Sequence, residues 1–230
     1  MKKLSLLTLL TLIFSFTTLN AQNDHDQDKN HQSSSKFSFT AYGGIGYAIL
    51  DNQNQPNYNL DASTADFLVH YHFGKHYGIA TGIGINELTG NGFFYVDGPF
   101  YHERANLKIP VLLDVNYNLS PKIGLVANVG VYGQTVYRDQ FTFLNGGKVI
   151  NVYEGWNFGF QSAIGISYNF NQNISLGVMF NSQWDFNRLE VDRIKRTFAD
   201  QQKISRINTL GLLFTFNLLP KKRALHYDFA

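Results

Sequence analysis

Three charged residues stand at even positions in residues 101–119, a stretch that reads YHERANLKIPVLLDVNYNL and is otherwise rich in Leu, Ile and Val. Arg104, Lys108 and Asp114 are separated there mainly by Leu, Ile and Val. A strand sends alternate side chains to opposite faces, whereas a helix would scatter these charges around its circumference. The stretch therefore predicts a strand with one apolar and one polar face. Ionised side chains on such a face must pair with one another or line a water-filled path.

Six charged residues share the polar face of their predicted strands and define a lumen charge cluster. They are Asp66, Arg104, Lys108, Arg138, Asp185 and Arg206. Because their signs are mixed, we expect a salt-bridged plug, with Asp185 linked to Arg206 directly or through one other charged residue. The alternative is a selectivity filter. If the strands close into a barrel of eight, its narrow interior leaves little space for one.

His70 and His72 are the residues to weigh for catalysis, because both have the same inward parity. A hydrolytic site needs a serine and a carboxylate beside the histidine, and the sequence identifies no such pair there. The chain also lacks a nucleophile elbow, a phosphate loop, a metal-binding helix motif and a dinucleotide fingerprint. It contains no cysteine, which excludes disulfides, thiolate metal sites and a cysteine nucleophile. We predict no catalytic residue, no cofactor and no metal site.

Eight alternating segments follow one another along the chain, and each is long enough to cross a bilayer as a tilted strand. They cover residues 37–49, 64–73, 77–87, 102–117, 122–137, 153–170, 173–187 and 204–218. Their connections alternate between short turns and long segments, as in an up-and-down barrel. Aromatic residues concentrate at both ends of the apolar faces, which favours a lipid-facing exterior. The predicted fold is all-β, an eight-stranded antiparallel up-and-down transmembrane β-barrel.

The two ends of the chain are predicted to lie outside this barrel, which spans residues 37–218. Residues 1–21 have a basic start and an apolar run that ends in Ala21, the layout of a cleaved signal peptide. Residues 22–36 are polar and aperiodic, so we expect a flexible periplasmic leader, and 219–230 form a periplasmic C-terminal tail. Cleavage would leave equal numbers of basic and acidic residues, which argues against a nucleic-acid partner.

Two stretches resemble parts of a known family. The run from Ala105 to Gln134 resembles the strand–turn–strand core of PorT-like outer-membrane β-barrel proteins. The residues that carry this resemblance are Asn106, Leu107, Ile109, Pro110, Val111, Leu112, Leu113, Gly124, Gly130 and Gly133. The final strand resembles the signal read by the barrel insertion machinery, at Thr209, Gly211, Phe214 and Phe216. The resemblance implies a bacterial outer-membrane location and, from the founding member of the family, a role in type IX secretion.

The predicted function is that of a non-enzymatic outer-membrane barrel that acts as an envelope or secretion accessory through its loops and periplasmic ends. A narrow channel or a surface adhesin is the alternative, and a lipid-modifying enzyme is a third hypothesis. The expected partners are outer-membrane lipid, the barrel insertion machinery and other envelope or secretion proteins. In this topology residues 88–101 and 138–152 lie outside the cell, and residues 74–76 lie in the periplasm.

Overall fold

The computed structural model describes residues 36–144, 146–153, 155–171, 173–189 and 201–218. The predicted signal peptide (1–21), the predicted leader up to residue 35 and the predicted tail (219–230) lie outside the described residues. Within the described ranges, no helix has the length and hydropathy that a membrane span requires. The regular structure of these ranges consists of strands.

The described residues form nine strands. Their bounds are β1 (Phe37–Asn52), β2 (Tyr58–His72), β3 (Tyr77–Phe94), β4 (Gly98–Asn118), β5 (Ile123–Phe143), β6 (Lys148–Ile150), β7 (Asn157–Asn169), β8 (Ile174–Asp185) and β9 (Gln202–Asn217). Eight of them close an antiparallel ring in the order β1-β2-β3-β4-β5-β7-β8-β9, because β1 pairs with both β2 and β9. The short β6 pairs with β5 beside the ring. The predicted eight-stranded antiparallel barrel is confirmed.

The strands extend further at one end of the barrel than the sequence pattern indicated. Residues 88–101 were predicted as a connection, but all except 95–97 belong to β3 and β4. The prediction is wrong there because outward residues such as Thr89 and Asn91 are polar, so the apolar outer face of the strand is lost. We call the end with connections 53–57 and 95–97 the loop end, and the end with connections 73–76 and 119–122 the turn end.

Large apolar side chains cover the outside of the barrel. On β4 the exposed apolar residues include Leu107, Ile109, Val111, Leu113 and Tyr117. Exposed aromatic side chains mark both edges of this apolar band, with Tyr47, Tyr137, Trp156 and Trp184 towards the loop end and Tyr71, Phe73, Tyr77, Tyr168 and Phe170 towards the turn end. A band of this kind, edged by aromatic girdles, suits a barrel that lies in a lipid bilayer.

Side chains fill the lumen in alternating apolar and polar layers. Towards the turn end, the apolar clusters contain Leu68, Ala80 and Leu112, and beside them Tyr42, Ala163, Met179 and Leu213. A larger apolar cluster fills the loop end, made of Ala48, Leu50, Tyr58, Leu60, Ala62, Leu88, Phe100, Phe141, Ile204 and Ile207. Along β4 the buried charged residues Lys108 and Arg104 lie between these apolar regions. An eight-stranded barrel is narrow enough to be filled in this way.

Two β-bulges change which side chains face inward, and they make two of the site predictions wrong. The pairing of β5 with β4 leaves Tyr137 as an extra residue, so that Tyr137 and Arg138 both face outward. The pairing of β9 with β1 leaves Ser205 as an extra residue, so that Ser205 and Arg206 both face outward. One extra residue reverses the alternation beyond each bulge. Arg138 and Arg206 therefore lie outside the lumen, and Asp139 points inward instead.

Candidate functional site

Lys108 on β4 and Asp66 on β2 form an ion pair inside the barrel. The Lys108 Nζ atom lies 2.9 and 3.1 Å from the two carboxylate oxygens of Asp66, and it donates to Gln161 Oε1 at 3.0 Å. Both charged side chains are at most 1% exposed. Gly84 lies on the strand between them, and a Cβ atom at this position would collide with the Asp66 carboxylate. The pair therefore depends on the space that this glycine leaves.

Asp185 on β8 is also buried, but its partners are neutral. Its Oδ1 atom accepts hydrogen bonds from the Tyr132 hydroxyl at 2.8 Å and from Gln134 Nε2 at 2.7 Å. Its Oδ2 atom accepts one from the backbone N–H of Ile204 at 3.1 Å. The predicted link between Asp185 and Arg206 is wrong, because the bulge on β9 turns Arg206 to the outside. Neutral donors thus satisfy this buried carboxylate.

Arg104 organises a second buried group at the loop end. Its Nε atom donates to Asp139 Oδ1 at 2.8 Å, and its Nη2 atom donates to the Tyr153 hydroxyl at 2.9 Å and to Gln202 Oε1 at 2.6 Å. His102 Nε2 lies 2.6 Å from the same Asp139 oxygen. We call these five residues the loop-end cluster. The sequence prediction missed Asp139 because it placed residues 138–152 in a connection, where alternation was not followed.

The loop-end cluster lies beyond the apolar band and outside the lipid-spanning part of the strands. On the outer surface at this level, Glu87 and Arg138 form an exposed ion pair at 3.7 Å. Burial would raise the pKa of Asp139, but Arg104 and the hydrogen bond from His102 lower it below its ordinary value. Burial lowers the pKa of His102, and the neighbouring Asp139 opposes that effect. At neutral pH Asp139 is therefore ionised and His102 is neutral.

A polar group at the turn end brings together one serine, two histidines and one aspartate. Ser38 Oγ lies 2.8 Å from His72 Nε2, whereas Asp114 Oδ2 lies 3.3 Å from His70 Nδ1 and 4.0 Å from His72 Nδ1. The sequence did not indicate this grouping, because the residues come from three separate strands. A catalytic relay needs the carboxylate to hold the same histidine that contacts the serine. Here the carboxylate is nearer to His70, and Ser38 is buried.

This arrangement does not form a catalytic relay. It also differs from a metal site: no group of three or more His, Asp or Glu side chains in the described part of the chain is arranged to hold a metal ion. The turn-end group instead places polar side chains next to one another inside the barrel. Asn116, near the end of β4, donates to the Asp114 carboxylate.

Comparisons with known proteins concern the fold alone. No family model matches the sequence, and no curated protein matches it. The Neisserial surface protein NspA is similar with a TM-score of 0.48 and 10% identity, over 81% of this chain and 100% of that chain. OprG from Pseudomonas aeruginosa has a TM-score of 0.45 and 11% identity, over 81% and 99%. The outer membrane protein AlkL has a TM-score of 0.43 and 14% identity, over 87% and 100%.

The exterior and interior of the barrel together decide where the protein resides. Apolar side chains face outward in a band edged by aromatic residues, and buried charges such as Lys108 and Asp66 face inward. Closed barrels with this distribution span the bacterial outer membrane. The chain is an outer-membrane β-barrel protein. Its closed ring leaves no strand edge among β1–β5 and β7–β9 unpaired in the lipid.

The outer-membrane barrel closes between its first and last strands, at the segment that resembles an insertion signal. Gly211 pairs with a glycine of β1, and a Cβ atom on Gly211 would collide with the β1 backbone. Thr209 is buried and shares a hydrogen bond of 2.9 Å with the Tyr42 hydroxyl. The outward-facing members of the motif are Phe214 and Phe216. Recognition of this segment by the insertion machinery stays a prediction.

The outer-membrane barrel also exposes apolar side chains at its loop end, beyond the lipid-facing band. Leu144, which follows β5, is 85% exposed, and Tyr95 in the β3–β4 connection is 71% exposed. Val96 and Ile150 are exposed nearby. The β3–β4 connection and the end of β5 are adjacent, because β4 and β5 remain paired up to this end. We call Tyr95, Val96, Leu144 and Ile150 the loop-end patch.

Proposed function

We propose that this protein is a non-enzymatic outer-membrane barrel that binds other envelope or secretion proteins through its loop end and its periplasmic ends. The loop-end patch carries the proposal. Exposed apolar patches rimmed by polar residues mark protein interaction sites, and Tyr95 and Leu144 stand beyond the part of the barrel that lipid covers. The exposed charged residues Asp97 and Lys148 lie beside the patch. The expected partner is therefore a protein with a complementary apolar surface and a polar rim.

The filled lumen supports a binding role over a channel. Along β4, Leu112 and Phe100 belong to apolar clusters on either side of Lys108 and Arg104. An ion that crossed the barrel would have to displace these packed side chains as well as the charges between them.

The second candidate function is a surface adhesin, which the same loop-end patch favours if its target lies on another cell.

A secretion-accessory role of the type IX kind is the finer part of the proposal. It rests on the resemblance of residues 105–134 to PorT-like barrel proteins. In this proposal the loop end faces the cell exterior and the turn end faces the periplasm. Outer-membrane lipid contacts the apolar band, and the insertion machinery recognises the final strand from Thr209 to Phe216.

The test is capture of partners from intact cells by reversible chemical crosslinking, followed by affinity purification of the full chain. A variant with Tyr95→Ser and Val96→Ser should lose proteins that the native chain retains. Asn59→Ser is the matched control, because it changes an exposed polar residue at the same end of the barrel. If the patch variant recovers the same proteins as the native chain, the proposed role of the patch is wrong. A steady single-channel current from the native barrel in planar bilayers would favour the channel instead.

A further inference from the structure

β9 presents an arginine at the outer surface of the barrel without an acidic partner among the described residues. The bulge at Ser205 turns Arg206 outward, where it is exposed. The corresponding bulge on β5 turns Arg138 outward, but Arg138 pairs with Glu87 at 3.7 Å. The ion pairs that described residues form do not include Arg206. Its guanidinium is therefore open to a ligand from outside this part of the chain.

A hydrogen-bonded polar row crosses the outside of the barrel next to Arg206. Asn208 Nδ2 donates to the Tyr47 hydroxyl at 2.8 Å, and Ser182 Oγ donates to Asn208 Oδ1 at 2.8 Å. A phenol that accepts one hydrogen bond still has its own O–H to donate. Arg206 pairs with Ile49, so Tyr47 occupies the diagonal outward position on the neighbouring strand. Two donors of different strands thus lie at neighbouring positions of the outer surface.

The surrounding side chains place these two donors at the edge of the bilayer. Gln183 pairs with Ile207, so the exposed Trp184 of β8 lies beside Arg206. On the other side of the polar row, β9 exposes Leu210 to lipid. Tryptophan and tyrosine occupy the level at which acyl chains meet lipid headgroups. Arg206 therefore stands at headgroup level.

We propose that Arg206 and the Tyr47 hydroxyl bind the phosphate of a phosphorylated lipid in the adjacent leaflet. A guanidinium offers phosphate oxygens a planar fork of donors, and such charge-assisted hydrogen bonds are about twice as strong as neutral ones. Phosphates of lipid headgroups lie at this depth, where basic residues of membrane proteins bind them. In the proposed topology this leaflet is the outer one. The site lies apart from the loop-end patch, so the inference goes beyond the proposed function and does not depend on it.

The test uses the full chain folded in nanodiscs that contain lipid A, with native mass spectrometry as the measure of retained lipid. Arg206→Gln should lower the retention of lipid A by about tenfold or more, the loss expected when a hydrogen bond to a charged group is removed. Tyr47→Phe should lower it less. Arg138→Gln is the matched control, because it removes an outward arginine of a similar bulge that is already paired. The electrophoretic shift of the folded barrel on heating establishes that each variant is folded.

Two further measurements test whether the phosphate group is required and whether it must belong to a lipid. Dephosphorylated lipid A should not be retained, and inorganic phosphate should not displace the phosphorylated lipid. Equal retention by native chain and Arg206→Gln would overturn the proposal, as would an equal loss in Arg138→Gln. Retention of the dephosphorylated lipid, or displacement by inorganic phosphate, would also overturn it. Partner capture by the loop-end patch is measured separately, so failure here leaves the protein-binding role untouched.

Discussion

Breaking the ion pair between Lys108 and Asp66 tests whether paired charges hold the lumen together. Lys108→Met removes the ammonium group but keeps an unbranched apolar stem. Asp66 is then left with the Gln161 Nε2 atom at 3.4 Å as a remaining donor. Both side chains are at most 1% exposed, so water cannot readily replace the lost cation. Removal of one member of a fully buried pair costs about 3–5 kcal/mol, and we expect a loss of unfolding free energy in that range.

A double variant separates the effect of charge from the effect of packing. Lys108→Met combined with Asp66→Asn leaves no uncompensated charge, and the new amide keeps nearly the shape of the carboxylate. This variant should recover at least half of the lost stability, because neutral replacement of both members of a buried pair is often close to neutral.

The measurement is urea unfolding of the barrel in lipid vesicles, followed by the fluorescence of its two tryptophans. A loss below about 1 kcal/mol in the single variant, the size typical of exposed pairs, would refute the reasoning. A double variant no more stable than the single one would also refute it, because the uncompensated charge would then not be the cause.

Four changes probe the seam, the orientation, the lipid-facing band and the loop-end cluster. Gly211→Ala should abolish the electrophoretic shift of the folded barrel, because its Cβ atom would collide with the β1 backbone and cannot rotate away. A single cysteine at the exposed Val96 should be labelled in intact cells, whereas one at Lys75 should not. Leu113→Arg should cost about 2–4 kcal/mol in urea unfolding if Leu113 lies near the bilayer midplane. Acidification below about pH 6.5 should destabilise the loop-end cluster, as followed by near-ultraviolet circular dichroism. The pKa of His102 is lowered in the folded state, so the unfolded chain binds the proton more tightly. The free energy of unfolding therefore decreases as the pH is lowered.

Each of these expectations has an opposite outcome. A Gly211→Ala barrel that shifts normally would mean that the seam has room for a methyl group. The reverse labelling pattern would reverse the orientation of the barrel. Equal costs for Leu113→Arg and Asn116→Arg would contradict the assignment of the two faces of β4. If His102→Gln keeps the acid transition, another group is responsible for it.

Alternation along the sequence was sufficient to predict the barrel and the interior charges on regular strands. Asp66, Arg104 and Lys108 lie on strands whose side chains alternate regularly between the two faces from the apolar band to the loop end. Their inward placement therefore follows from the alternation alone. Arg138 and Arg206 follow a bulge, and one extra residue reversed the count. The local sequence around these bulges carries no glycine or proline that would have marked them.

The partners of the buried charges could not be predicted in the same way. Arg104 contacts Gln202, which is 98 residues away in the sequence. That contact depends on how far neighbouring strands are shifted when the ring closes, and parity does not determine this shift. The contact between Ser38 and His72 could not be predicted either, because it also depends on the shift between two paired strands. Both residues were correctly expected on strands of the barrel.

The contacts of Arg104 also determine how the barrel can come apart. Its hydrogen bonds reach Asp139 on β5 and Gln202 on β9, so the bond to Gln202 forms only when the last strand has joined. A ring that lacks β9 leaves such groups unpaired in an interior of low dielectric constant, and each missing partner adds to the penalty. Loss of structure should therefore be cooperative, without a stable open sheet along the way. A chain truncated before β9 would be degraded by envelope proteases as a damaged protein rather than persist as a half-barrel.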